Sequence, residues 1–166
     1  MIRVIPHGHE SAAASLDGSR IRSQITQAIR KALKEGKSSG KKFTKARYIS
    51  DINRFGKISS RASGLRGRLT VSGSRNLIKR FRLSPSTRPP HRPPGGLSVE
   101  VVRGQGGQLP HAFVNSAGIV FEREGKKRLP IRHLSTVSIV GAWSRVGAQV
   151  EQAIARHLEN QLSTVM

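Results

Sequence analysis

The hydrophobic period of this chain changes twice, and that change limits the folds open to it. From about Ser19 to Glu35 the apolar residues Ile21, Ile25, Ala28, Ile29, Ala32 and Leu33 recur three and four apart, the spacing of one helix face. Near the other end Trp143, Val146, Val150, Ile154, Leu158 and Leu162 repeat that spacing and predict an amphipathic C-terminal helix. Between them the period falls to two. Leu65, Leu69 and Val71 alternate with Arg66, Arg68, Thr70 and Ser72, and Leu97, Val99 and Val101 restart the pattern.

Ser19 fits the N-cap of the first helix and Gly36 its stop, with Gly36 to Lys42 as a flexible basic loop. A weaker helical pattern places Tyr48, Ile49, Ile52 and Phe55 on one side, and residues 57–64 read as loop or a further helical turn. Asn76 to Leu83 is a second strand candidate. Gly104–Gly107 reads as a hairpin turn, leading to short strands at His111–Asn115 and Gly118–Arg123. The expected fold is α+β, an antiparallel sheet of short strands packed with N-terminal and C-terminal helices. Residues 1–18 read as a flexible arm and 19–166 as one domain, with a Pro-rich loop at 84–96 that holds five prolines.

Charge is the strongest purely physical signal. Between Arg20 and Arg92 there are 21 Lys or Arg against Glu35 and Asp51, within a formal net charge of +21. Such a stretch seeks polyanions, and carboxylates interspersed for solubility are nearly absent from it. Few aromatic residues interleave with the cations, so contact with nucleic-acid backbones is expected and base stacking is not.

Enzyme chemistry is poorly represented. Zero cysteines exclude disulfides, thiolate metal sites and a cysteine nucleophile. Gly36-Lys37-Ser38 resembles the end of a phosphate-binding loop, but Lys31 stands where the earlier glycine is required. No nearby acidic or cysteine cluster completes a metal-ligand set with His7 and His9, and both aspartates lie in the N-terminal third. No catalytic, cofactor-binding or metal residue is expected. No apolar run approaches membrane-spanning length, and MIRVIPHGHES lacks a signal-peptide hydrophobic region, so synthesis in the cytoplasm is the expectation.

From about Gly64 onward an ordered series of motifs appears. Ser72-Gly73-Ser74-Arg75 follows a basic strand, then come the hydrophobic segment Leu77–Leu83, a loop, and strands at Leu97–Arg103, Ala112–Val114 and Gly118–Arg123. The densest motif is Lys127-Arg128-Leu129-Pro130-Ile131-Arg132. This order resembles the minor tail protein Z family of long-tailed phages and prophages. The chain departs from that pattern at Leu134-Ser135-Thr136-Val137-Ser138, where many relatives carry Leu-Tyr-Gly-Pro-Ser.

The resemblance implies a non-catalytic virion protein, made in the host cytoplasm and placed at the head-proximal end of the tail. It would act in tail completion and head–tail joining. Implied partners are further copies in a ring of about six, other tail and neck proteins such as a tail terminator, tail tube or head–tail connector, and packaged phage DNA. The candidate DNA-contacting residues are Arg61, Arg66, Arg68, Lys79, Arg80 and Arg82. The candidate subunit or partner contact is Arg128, Leu129, Pro130, Ile131 and Arg132. Pro130 lacks an amide donor and belongs at a sheet edge or end, with Leu129 and Ile131 as anchors and the two arginines pointing outward. The rival expectation is a soluble, sequence-nonspecific nucleic-acid-binding protein, which explains the charge without the ordered motifs.

Overall fold

The structure, a computed structural model, describes residues 2–4, 18–87, 89, 95–125, 127 and 129–163. It is mixed helix and sheet, with helices toward both ends and small antiparallel sheets between them, in keeping with an α+β fold. The one expected sheet is in fact four short ladders. Strands β1 (Ile2–Val4), β2 (Lys57–Ser63) and β3 (Arg66–Ser72) pair in the order β1-β3-β2. β4 (Arg75–Leu77) pairs with β11 (Ser135–Ser138). β5 (Arg82–Ser84), β6 (Leu97–Val102) and β7 (Gln105–Leu109) form the third ladder, with β6 central. β8 (Ala112–Val114), β9 (Val120–Arg123) and β10 (Ile131–His133) form the fourth, with β9 central.

Helix α1 spans Gly18–Arg47, well past the expected stop at Gly36. The glycines that read as loop residues are packing residues. A side chain at Gly36 would collide with Ile154, and one at Gly40 with the indole of Trp143. Both glycines are buried and lie one turn apart, so α1 approaches the C-terminal helices closely along that line. The basic loop expected at Gly36–Lys42 is therefore regular helix, and Gly36-Lys37-Ser38 lies in its interior. Two basic residues, Lys45 and Arg47, sit in the last turn, where a cation complements the helix dipole.

The C-terminal helix is also corrected. It is two helices, α2 (Ile139–Ser144) and α3 (Gly147–Ser163). Ser138 caps α2 by accepting from the Gly141 amide at 3.0 Å. The main core joins Ile25, Ile29 and Leu33 of α1 to Leu69 of β3, Ile139 and Trp143 of α2, and Val150, Ile154 and Leu158 of α3. A second cluster holds Ile78, Leu97, Ala112, Val114 and Val120, and a third holds Tyr48, Ile52, Phe81 and Ala142.

A polar network locks the helices together. Trp143 Nε1 donates to Asn53 Oδ1 at 3.0 Å, and Asn53 Nδ2 donates to Thr44 Oγ1 at 2.9 Å. Thr44 is fully buried and its hydroxyl also bonds the Gly40 carbonyl at 2.9 Å. Asn53 belongs to a 3-10 turn, Ile52–Phe55, that replaces the second helix expected there.

Three further expectations change. Residues 57–64, read as loop or a further helical turn, supply β2 (Lys57–Ser63). Asn76–Leu83 is two strands broken by a 3-10 turn at Ile78–Arg80. Gln105 to Gly107 belong to β7, so the turn before them is shorter than expected. Residues 88 and 90–94 of the Pro-rich stretch lie outside the described residues, as do most of residues 1–18. Among the described residues no helix is long and apolar enough to cross a membrane.

Candidate nucleic-acid and subunit interfaces

The β2–β3 hairpin positions the first candidate surface. Gly64, at φ 56°, opens the two-residue turn between Ser63 and Arg66, a place where L side chains are strained. Register then follows. Ala62 faces Gly67 and Ile58 faces Val71 on the side packed against the main core. Alternation turns Lys57, Arg61, Arg66 and Arg68 to the opposite side, and all four are exposed. Arg61 stands directly across from Arg68, and Arg3 of β1 occupies the register position on the other side of Arg68.

Like charges directly opposite one another on a sheet repel. Among the described residues no carboxylate pairs with Arg61, Arg66 or Arg68. Among the described residues three ion pairs form, Asp51–Arg54, Glu100–Arg82 and Glu122–Arg132, and none reaches this face. A row of arginines without counter-charges is suited to phosphate oxygens, which Arg guanidinium binds through paired N–H groups.

The other three candidate cations lie elsewhere, on the 3-10 turn and β5. Arg80 is committed within the fold, with its guanidinium 4.2 Å from the Phe55 ring centre and bonded to Asn76 Oδ1 at 3.2 Å. Arg82 pairs with Glu100 at 2.7 Å. Lys79 is exposed. The structure thus brings Arg61, Arg66 and Arg68 together, separates them from Lys79, Arg80 and Arg82, and adds Lys57 to the first group.

The second candidate surface is the outer face of the β8-β9-β10 ladder. Ala112, Val114 and Val120 point into the second core cluster. The opposite face presents Phe113, Phe121 and Arg123, with Ile131 and His133 of β10 in register beside them. Phe113 and Phe121 stack at 6.1 Å, His133 meets Phe121 edge-on at 5.6 Å, and the Arg123 guanidinium lies 5.3 Å from the Phe113 ring centre. Ile131 is 40% exposed and Leu129, joined to Pro130 by a cis peptide bond, is 65% exposed. The expectation that Leu129 and Ile131 anchor the segment inward is corrected, because both are presented to the surface.

Arg132 points to the other side and is held by Glu122, with Nε to Oε2 at 2.8 Å and a second contact from Nη2. The Glu122 hydrogen bond, then its charge, keeps that guanidinium above its ordinary pKa. Arg128 lies outside the described residues, as do His7 and His9. Among the described residues no three His, Asp or Glu gather as a metal site.

Sequence reasoning missed the aromatic part of this face. Phe113, Phe121 and His133 stand in three separate segments, and nothing but strand register places them side by side. Comparison with known proteins adds no constraint: no family model, no curated protein and no solved structure matches the chain.

Proposed function

We propose that this chain is a structural virion subunit of the minor tail protein Z type, acting in tail completion and head–tail joining at the head-proximal end of a phage tail. One observation carries the reading. Three segments that carry the resemblance, Ala112–Val114, Gly118–Arg123 and the densest one at Leu129–Arg132, converge on a single ladder whose outer face is apolar and aromatic. Exposed apolar groups clustered with aromatic rings are characteristic of surfaces that bind other proteins. In this reading the face meets a neighbouring copy or another tail or neck protein, and the arginines of the β2–β3 hairpin hold packaged DNA by its phosphates without base preference.

The reading is tested by Leu129→Asp/Ile131→Asp in the full chain. Both side chains are already largely outside the core, so the purified variant should keep its stability to within about 0.5 kcal/mol. Yield of infectious particles should nonetheless collapse when the variant is the sole source of the protein. Parental yields from this variant would contradict the assignment of the face.

A second reading, the soluble sequence-nonspecific nucleic-acid binder, is favoured by the cationic outer side of α1. Arg20, Lys31, Lys34, Lys41 and Lys45 are all exposed there. That reading makes the β8-β9-β10 face dispensable, so the same variant separates the two.

A further inference from the structure

We infer that the chain carries two separate duplex-DNA-binding faces on opposite sides of one helix–sheet layer, so that a single copy can bridge two duplex segments. The inference rests on the hairpin being phosphate-facing and adds the outer side of α1 as an independent site. At about 100° per residue, Arg20, Lys31, Lys34, Lys41 and Lys45 fall within an arc of about 80°, across the helix from Ile29 and Gly36. All five are exposed, and no carboxylate among the described residues pairs with them. Glu35, the acidic residue of α1, accepts instead from Ser39 Oγ at 3.0 Å.

The stripe runs 25 residues from Arg20 to Lys45 along α1 (Gly18–Arg47). At a 1.5 Å rise per residue it is roughly 38 Å long, close to one turn of duplex DNA at about 34 Å. A cationic helix face of that length matches a stiff polyanion. The aromatic residue of α1, Phe43, packs against the main core and leaves the stripe without a stacking platform. Duplex backbone is therefore the fitting partner, and unstacked single strands are not.

The two faces point apart. A side chain at Gly67 would come within 2.7 Å of Ile29 Cγ2 and 3.1 Å of Leu33 Cδ1, so the inner side of β3 lies directly on α1. Arg66 and Arg68, flanking Gly67, project from the opposite side of the strand. Lys31 and Lys34 lie on the far side of the helix. The full thickness of a helix, about 10–12 Å with its side chains, and one sheet separate the two cation sets. Duplex DNA bends on a scale of about 150 bp, so a short duplex seated on one face does not reach the other.

The test uses duplexes of about 25 bp, far shorter than that bending length. One is tethered to beads and the other is fluorescent and free. The full chain carries Leu129→Asp/Ile131→Asp throughout, which removes the apolar face as a route to bridging. The parent in this background should capture the free duplex at low salt. Lys31→Gln/Lys34→Gln/Lys41→Gln/Lys45→Gln should cut capture at least tenfold while still binding a single duplex in solution. Arg61→Gln/Arg66→Gln/Arg68→Gln should behave in the same way. Failure of the parent to capture, or undiminished capture by the α1 variant, overturns the inference. Undiminished capture and affinity in the hairpin variant alone would instead overturn the hairpin reading. If the α1 stripe serves an acidic protein, the α1 variant will match its parent in every duplex assay, which also overturns the inference.

Discussion

Raising the salt concentration from 50 to 200 mM will weaken duplex-DNA binding at either basic face by about 150- to 500-fold. Each phosphate neutralised by Lys or Arg contributes about −0.9 to the slope of log K against log salt. The hairpin offers Lys57, Arg61, Arg66 and Arg68, and α1 offers Arg20, Lys31, Lys34, Lys41 and Lys45. Four or five contacts therefore give a slope between about −3.6 and −4.5, and a fourfold rise in salt produces the stated loss. Fluorescence anisotropy across a salt series measures it, using duplexes of unrelated sequence. The slopes should agree between sequences, because no base-reading element is present on either face. A slope shallower than about −2 would mean that most of these cations do not meet phosphate.

Gly40→Ala will destabilise the protein by about 2 kcal/mol, although alanine favours a free helix over glycine by about 1 kcal/mol. The sign reverses because of what the methyl group meets. At Gly40 the added carbon lands on the Trp143 indole, which is buried and is held by its hydrogen bond to Asn53. The ring cannot retreat without breaking that bond. Gly147→Ala is the control, since a carbon there meets nothing within 4 Å. It should be neutral or stabilising by up to about 1 kcal/mol. Urea midpoints of the two variants decide the matter. A stabilised Gly40→Ala would show that α1 does not approach α2 as closely as the structure describes.

These glycines also explain where the sequence was hard to read. Gly36 followed a strong helical pattern, and a glycine in that place is the ordinary mark of a helix end. Gly40, one turn on, adds to the composition of a loop. The opposite reading, small residues one turn apart admitting a neighbouring helix, depends on Ile154 and Trp143, more than a hundred residues away. Local pattern carries no information about them. The helix faces themselves, Ile25 to Leu33 and Val150 to Leu158, were legible because burial on one side imposes its own period.

Strands divided in the same manner. β3 showed itself through Leu69 and Val71 alternating with arginine and threonine. β2, at the edge of its ladder, buries so little that Ser59, Ser60 and Ser63 masked the pattern, with Ile58 and Ala62 the two apolar residues turned inward. The basic outer side of the hairpin was legible from Arg66 and Arg68, but the commitment of Arg80 to Phe55 and of Arg82 to Glu100 was not. Those pairings join residues 18 to 25 positions apart, which local pattern does not bring together. Leu129 and Ile131 illustrate a different limit. An apolar residue looks the same in sequence whether it fills its own core or is kept for another molecule.

The most direct measurement is quantitative mass spectrometry of purified phage particles made with this chain, counting its copies per virion. A subunit of a closed ring that follows the symmetry of the tail predicts about six copies. Complete absence from mature particles would contradict the account.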